Sequence, residues 1–586
     1  MTFDGPSHAA PTLPRQAGSV PFFTHPAPMP APAVLGDTTR WLCAAAYLDD
    51  DYAHHVITEL TDDEQRAVPP SRGFDIGPVL GHAFRARRRL LTRDFVLGLI
   101  LLAGVVLMPG ITAAWLLFAF GRRQARDRRR PGRMVTALAA YAGTAVLLCC
   151  GWYATPLLFL MEMSLSLTGS QTGDALAASS WTGILVLITV LPAVFALLTL
   201  GTLVTYRYTT YQTLAKTLAP GQPAVPTPPP NERVGRRMSW LAGAQVGNVT
   251  LHSKNPLLGT GNIVNGWSMA LTLRERASGS RGNGSHALPF DPRRISPQDL
   301  QALIRDRVLA LKDPALPERQ RVPGLYLMDQ VVADGERAQG DPLLDPRLRT
   351  PLQFASPEAI ASIIEHPQGG LRYFLHIVIG VEGRNVYAPS GALVLPEQQQ
   401  EIMVSAFVHV AVEGGKLYAE FLGSVLPPVR HEFHLVDKLR PEALSLFGRA
   451  ASESMRDWID SIDAPRRLWR ALRQILTIGY RADVSTRAVK ELRSYEHGAR
   501  LSVRELAAEP EPSTFLQELD ATKYIKLVDK TVAEAIIDYL DSKGVDTSEY
   551  RTQLTFIQNH NAVFNQSTFN GPVAAGAGAT ATQSGR

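Results

Sequence analysis

The chain has 586 residues, 45% of them hydrophobic, with 59 basic against 54 acidic side chains and a formal net charge of +5. That length supplies two or three folded units. The surplus charge is local: residues 1–93 carry 9 basic and 10 acidic side chains, residues 94–207 carry 8 and 4, and the remainder 42 and 40. This excludes the broad basic surface of a nucleic-acid binder and sets the excess beside apolar segments, where it fits membrane topology and anionic lipid.

Three cysteines, Cys43, Cys149 and Cys150, make no disulfide framework, and adjacent cysteines pair only under strain, so reduced thiols are expected. A cleavable signal peptide is not expected, because the first apolar run begins only at Phe95.

Residues 1–38, with proline at eight positions, read as a disordered Pro/Ala-rich lead. Asp37 and Thr38 can cap a helix, and apolar residues at Trp41, Ala45, Leu48, Tyr52, Val56 and Leu60 predict one amphipathic helix. Asp49, Asp50 and Asp51 suggest a cation site and His54 with His55 metal ligands. Adjacent residues on a helix point apart, however, so a solvated acidic face is expected. Pro69 and Pro70 end this stretch, and Phe74 to Arg93 reads as a basic helix lying along a membrane surface. Residues 39–93 thus form a small helical region.

The membrane region, 94–207, holds three apolar runs without internal charge, 95–120, 135–161 and 181–206. At about 1.5 Å per residue each can cross a hydrocarbon layer about 30 Å thick. Residues 121–134 hold seven arginines, whereas 162–180 hold no Lys or Arg. The positive-inside rule puts the basic loop in the cytoplasm, and Arg207 returns the chain there. The first run is flanked by arginines at both ends and has Pro109 and Gly110 in its middle. Two readings stay open: a hairpin that dips in and returns, or one kinked helix with the N-terminus outside.

Residues 208–237 read as a Pro-rich linker, stiff around Pro228, Pro229 and Pro230. The principal soluble domain, 238–480, reads as strands first and helices later. Strands are predicted at Asn248–His252, Trp267–Leu273 and Leu325–Val332. A buried central strand is predicted at Leu371–Val381, and a hairpin of Ile402–Val412 with Leu417–Leu426 around Gly414 and Gly415. Helices follow Pro441 and Pro465. In the helical region 481–564, Glu505–Pro512 reads as a linker and Ser513 as a cap. The stripe Ile525, Val528, Val532, Ile536, Tyr539 is expected to pack on its own domain, and Gly544 to end that helix. Residues 565–586 are a low-complexity tail expected to be disordered. The fold class is an α+β membrane protein, with two to three transmembrane helices and a cytoplasmic domain built on a mostly antiparallel sheet with C-terminal helices.

The candidate sites are weak. Gly259, Thr260, Gly261 and Asn262 form a small Gly loop that lacks the Lys and Ser or Thr of a P-loop, so a plain strand connection is expected. His431 and His434 lack a third ligand at a recognisable spacing. His376 and His409 alternate within strands and read as buried, hydrogen-bonded side chains rather than general bases. No G-x-S-x-G elbow occurs. The N-x-S/T triplets at Asn248, Asn283 and Asn565 are inert on a cytoplasmic face. No catalytic, cofactor-binding or metal-binding residue is assigned, and no cofactor is expected.

The stretches TRWLCAAAYLDDDYAHHVI at 39–57, NVTLHSKNPLLGTGNIVNGWSMALTL at 248–273 and QSTFNGPVAAGAGATA at 566–581 resemble a group of uncharacterised actinobacterial membrane proteins. The resemblance implies a bacterial plasma membrane and a similar division into parts, and it carries over no catalytic residues. The expected function is a membrane-anchored scaffold or sensor whose partners are the lipid bilayer and a protein or a second copy, not nucleic acid. A transporter or channel subunit and an enzyme with an unrecognised site are the alternatives.

Overall fold

The computed structural model describes residues 21–30, 32–126, 131–149, 173–276 and 290–560, apart from 318–319, 368, 383–385, 389, 391 and 396–398. The expected tail, 565–586, lies outside the described residues, as does the lead up to residue 20. Phe23 and Thr24, within the stretch read as unfolded, pair antiparallel with Ala355 and Phe354. Composition carries no sign of such pairing, because the partner is 330 residues away.

The single helix expected over 41–60 is two, α1 (Asp37–Leu48) and α2 (Asp50–Thr61). Asp49 stands extended between them, and its Oδ1 accepts the N–H groups of Asp51 and Tyr52, each at 3.0 Å. The acidic triplet therefore supplies a helix cap, for which Asp is among the best residues. Helix α3 (Ile76–Leu107) fuses the expected surface helix and the first half of the first apolar run into one element of 32 residues. Its opening turns bury Val79, Leu80 and Ala83, while beyond Asp94 it exposes Phe95, Leu99, Leu102 and Val106.

Met108 breaks this helix with φ −144° and ψ 64°, and α4 (Pro109–Arg126) begins on the proline. The bend is sharp: a Cβ on Gly104 would stand 3.0 Å from Thr112 Oγ1. A straight helix would hold residues eight apart about 12 Å from each other. Helix α5 (Pro131–Cys149) packs along α4, and α6 (Gly173–Thr217) contains Pro192. Two helices, α3 and the Val190–Thr217 part of α6, are long and apolar enough to cross a membrane. The rest of the second run, 150–161, lies outside the described residues.

The Pro-rich stretch before α7 (Glu232–Ala244) is anchored along its length. Ala224 N–H donates to Ala33 O at 2.9 Å, and Thr227 Oγ1 accepts from Arg85.

The main sheet has six strands, β1 (Val249–His252), β2 (Asn262–Thr272), β3 (Leu325–Asp334), β5 (Leu371–Glu382), β6 (Gln399–Glu413) and β7 (Lys416–Leu426). A short ribbon pairs β4 (Glu336–Ala338) with β8 (Ser494–Glu496). The six run in the order β1-β3-β5-β6-β7-β2, parallel between β1 and β3 and antiparallel elsewhere. The sheet is thus mostly antiparallel, with β5 inside it. Glu413 faces Lys416 at the tip of the β6–β7 hairpin, where Gly414 and Gly415 take φ of 55° and 75°. Positive φ at both central residues is the turn that suits strand twist.

One face of the sheet is apolar. Val404, Ala406, Val408, Leu375, Ile377 and Phe421 pack there under α8 (Pro297–Leu309), α9 (Pro357–Glu365) and α12 (Phe515–Ser542). The stripe expected on α12 is the part that docks, and Thr514, not Ser513, caps it in a reciprocal box with Gln517. Two more helices, α10 (Ala443–Asp457) and α11 (Ala464–Glu491), leave the sheet and pack against α6 and α3 respectively.

A second core joins the ends of the chain. It contains Leu42, Val56, Ile57 and Leu60 from α1 and α2, Val79 and Leu80 from α3, Tyr211 and Leu214 from α6, and Val429, Phe433, Leu446, Val503 and Ala507. The expected linker Glu505–Pro512 is part of this body. Ala507 is fully buried, and Glu509 N–H donates to Pro428 O at 2.9 Å.

Candidate functional site

Strand alternation sends Thr250, Gln330, His376, Ser405 and Ser424 to the face of the sheet away from α8, α9 and α12. All five are buried. The segment after α2 closes over them, and Arg72 enters from it, with Nη2 donating to Gln330 Oε1 at 2.7 Å and to His376 Nδ1 at 3.1 Å. A guanidinium only donates, so Nδ1 accepts and the proton of neutral His376 sits on Nε2. Gln330 passes the chain on to Thr250 Oγ1 at 3.2 Å.

Arg504 closes the other side, donating from Nη1 to Arg72 O and from Nη2 to Glu401 O. Burial pulls both guanidiniums down to about 10, and neither has a carboxylate within ion-pair distance among the described residues. Burial, with the charge of Arg72 beside it, drives the His376 pKa well below its ordinary value. At neutral pH the ring is an uncharged acceptor stacked on Phe407, with centroids 4.2 Å apart.

The Gly loop borders this cluster. The N–H groups of Gly259 and Gly261 both point at one carboxylate oxygen, Glu505 Oε1, at 2.8 and 2.9 Å. The loop does cradle an anion, and that anion belongs to the chain. Burial raises the Glu505 pKa, and the loop's N–H groups work in the opposite direction.

The other histidines each have partners of their own. His409 Nδ1 meets Tyr373 O at 2.8 Å, and its ring packs near Phe374. His434 stacks on Trp41 and holds Glu401 Oε2 at 3.1 Å. Burial lowers its pKa, but the hydrogen bond and charge of Glu401 outweigh this and leave it raised. His431 pairs with Lys438 Nζ at 2.7 Å, and His55 bonds Asp51 O. No group of three or more His, Cys, Asp or Glu side chains is arranged for a metal among the described residues.

A larger opening lies at the β4–β8 ribbon. It is a cavity of about 940 Å³, bounded by Phe22 and Phe23, by Leu344, Leu352 and Ile363, and by Val489, Leu492 and Tyr495. Arg337, Asp341, Asp345 and Arg349 also line it. That volume is within the range of ligand sites, and an apolar wall with a few polar groups is their usual chemistry. Arg349 holds φ at +56°, with Nη1 donating to Val489 O at 2.6 Å. A bulky residue in the left-handed region stores about 1–3 kcal/mol of strain. Sequence reading missed this cavity, since its walls come from four distant stretches and no periodicity marks them. The one local signal was the unusual density of Pro, Asp and Arg from Asp341 to Arg349.

Residues 266–573, just over half of the chain, match the family model described as the AbeC-like domain. No curated protein matches the chain, and no solved structure matches it.

Proposed function

The chain belongs to the AbeC-like domain family, and from that premise we propose a membrane-anchored scaffold or sensor, in which α3 and α6 hold the α+β domain against the cytoplasmic face of a plasma membrane to receive a protein partner. The observation that carries this reading is the second core, in which the bases of both candidate spans share one packed interior with α1, α2 and three segments of the domain. A domain so joined moves with its spans, as a sensor or a positioned scaffold requires.

The same core supports a topology. Residues 37–75 interlock with residues 428–450 and 503–509, so both lie on one side of any membrane. The bend at Met108 lets Arg85–Arg93 and Arg122 share that side, which fits the positive-inside rule and favours the hairpin over the kinked span. The cavity at the β4–β8 ribbon is the proposed seat for an apolar segment of the partner. His376 and His409 are buried and held by Arg72 and by Tyr373 O, with their pKa values lowered, which gives less support to an enzyme, and the charge-free apolar parts of α3 and α6 give less support to a transport path.

The test is a photo-crosslinker carried at Leu344 of the full chain in its native membrane, with a second at exposed Lys526 as control. The reading expects one adduct of fixed mass at 344, lost in Leu492→Asp. Equal labelling at both positions, together with substrate turnover by the purified chain, would sink it.

A further inference from the structure

Helix α11 carries an apolar stripe that no protein surface covers among the described residues. Trp469, Leu476 and Tyr480 are 68%, 70% and 69% exposed, and with Leu472 they recur at three and four. Such a face in water costs on the order of 25 cal/mol per Å², so something of matching chemistry must lie against it.

Its direction says what. Arg467, on another side of the helix, holds Asp94 at 2.9 Å, and Asp94 is the residue at which α3 turns from polar to apolar. Leu468, Trp469 and Leu472 then line a cavity of about 420 Å³ with Phe95, Leu99 and Leu102 of α3. On the opposite flank, Arg467 and Ala471 line a crevice with Asp50 and His54 of α2. The helix therefore crosses α3 at its charge boundary, with one side toward α2 and its stripe opening onto the apolar half of α3.

The corner before α11 goes deeper. Ala464 is fully buried with Leu97 and Leu203, and Trp458 approaches Trp115 with ring centroids 6.0 Å apart. Arg466 and Arg473 stand exposed beside the stripe, without a carboxylate partner among the described residues.

We propose that α11 is a lipid-surface helix: it lies flat in the headgroup layer, with Trp469, Leu472, Leu476 and Tyr480 in the upper acyl region and Arg466 and Arg473 on anionic lipid phosphates. Aromatic residues at the interface and arginines on the polar flank are the composition this position selects. The family domain then grips the bilayer directly, in addition to hanging from α3 and α6. The inference rests on the membrane-anchored reading above.

The experiment uses the full chain with its three cysteines replaced and one nitroxide at a time, at Leu476→Cys, at Leu102→Cys on α3, or at exposed Lys526→Cys. Each is reconstituted in vesicles of phosphatidylcholine and phosphatidylglycerol. Collision with oxygen, which partitions into lipid, is compared with collision with a water-soluble nickel chelate. The expected ratio at 476 exceeds that at 526 several-fold and is smaller than that at 102. A ratio at 476 equal to that at 526, with 102 in lipid, overturns the surface helix and leaves the anchor standing. Water exposure at 102 overturns the anchor itself. Spin–spin broadening at 476 that scales with protein density assigns the stripe to a second copy and likewise overturns the proposal.

Discussion

Trp41 Nε1 donates to Asp437 Oδ2 at 2.6 Å across 396 positions of sequence, and Arg40 Nη2 meets the other oxygen of the same carboxylate. One side chain at the end of the sheet domain thereby fastens the first turns of α1. Arg40 is 2% exposed, and its remaining partners are Asp37 Oδ1 and Leu218 O. Asp437→Ala should destabilise the chain by about 2 kcal/mol, the range for losing hydrogen bonds to a charged group. Asp437→Asn, which keeps an acceptor for Trp41, should cost about half as much. Denaturant unfolding of the detergent-solubilised chain measures both. Equal stability of wild type and Ala would mean that the link carries no energy.

Asp529 gives a pH dependence. Burial raises its pKa to about 6, against an ordinary 3.8, and a hydrogen bond from Trp267 Nε1 at 2.8 Å offsets only part of this. A carboxyl whose folded pKa is raised binds more protons folded than unfolded, so stability falls as pH climbs from about 4 to about 6. The shift corresponds to about 3 kcal/mol above that window. Asp529→Asn keeps the acceptor for Trp267 and removes the titration. It should be more stable than wild type at pH 8 by up to about 3 kcal/mol, with the gap closing below about pH 4. A gap independent of pH would show that Asp529 does not titrate in this range.

Two glycines with similar backbone angles should respond differently to alanine. Gly261 has φ +81°, and a Cβ there would stand 2.1 Å from Val425 O, whereas Gly340 has φ +85° and nothing within 4 Å. Gly340→Ala meets only the left-handed penalty, about 1 kcal/mol. Gly261→Ala must also displace β7 and the N–H groups aimed at Glu505, so its cost should exceed about 3 kcal/mol. Comparable losses in thermal unfolding would contradict the packing described at the Gly loop.

Cys43 is fully buried, and burial pushes its thiol well above the ordinary range. With Cys149 and Cys150 replaced by serine, the folded chain should resist maleimide at pH 8 and react only after denaturant is added. Prompt labelling of the native protein would place α1 outside the second core.

Where the sequence was legible, the governing contact was local. Gly414 and Gly415 sit between two β-branched runs and dictate their own turn, and Leu371–Val381 is apolar on alternate positions of both faces, as an inner strand must be. The stripe from Ile525 to Tyr539 has helical period and docks as written. Asp49 misled because the apolar period of α1 runs on into α2 in nearly the same phase, and only the cap geometry separates them. The polar site was illegible for a different reason. Arg72 reaches its partners across 258 and 304 positions, and nothing in PPSRGFD distinguishes a guanidinium destined for burial from one left in solvent. Glu505, in a stretch with the composition of a linker, is the anion of the Gly loop.

The second core also sets an order of events in biosynthesis. Leu42, Val56 and Ile57 leave the ribosome with the first tenth of the chain, but Phe433, Leu446 and Val503, which they pack against, are translated in its last third. Between them α3 and α6 are made. The two amphipathic helices at the start therefore wait, apolar faces uncovered, until some 400 residues have followed them. Translation pauses and ribosome-bound chaperones thus bear on the yield of native protein at its N-terminal end, far from where a nascent chain's latest residues emerge.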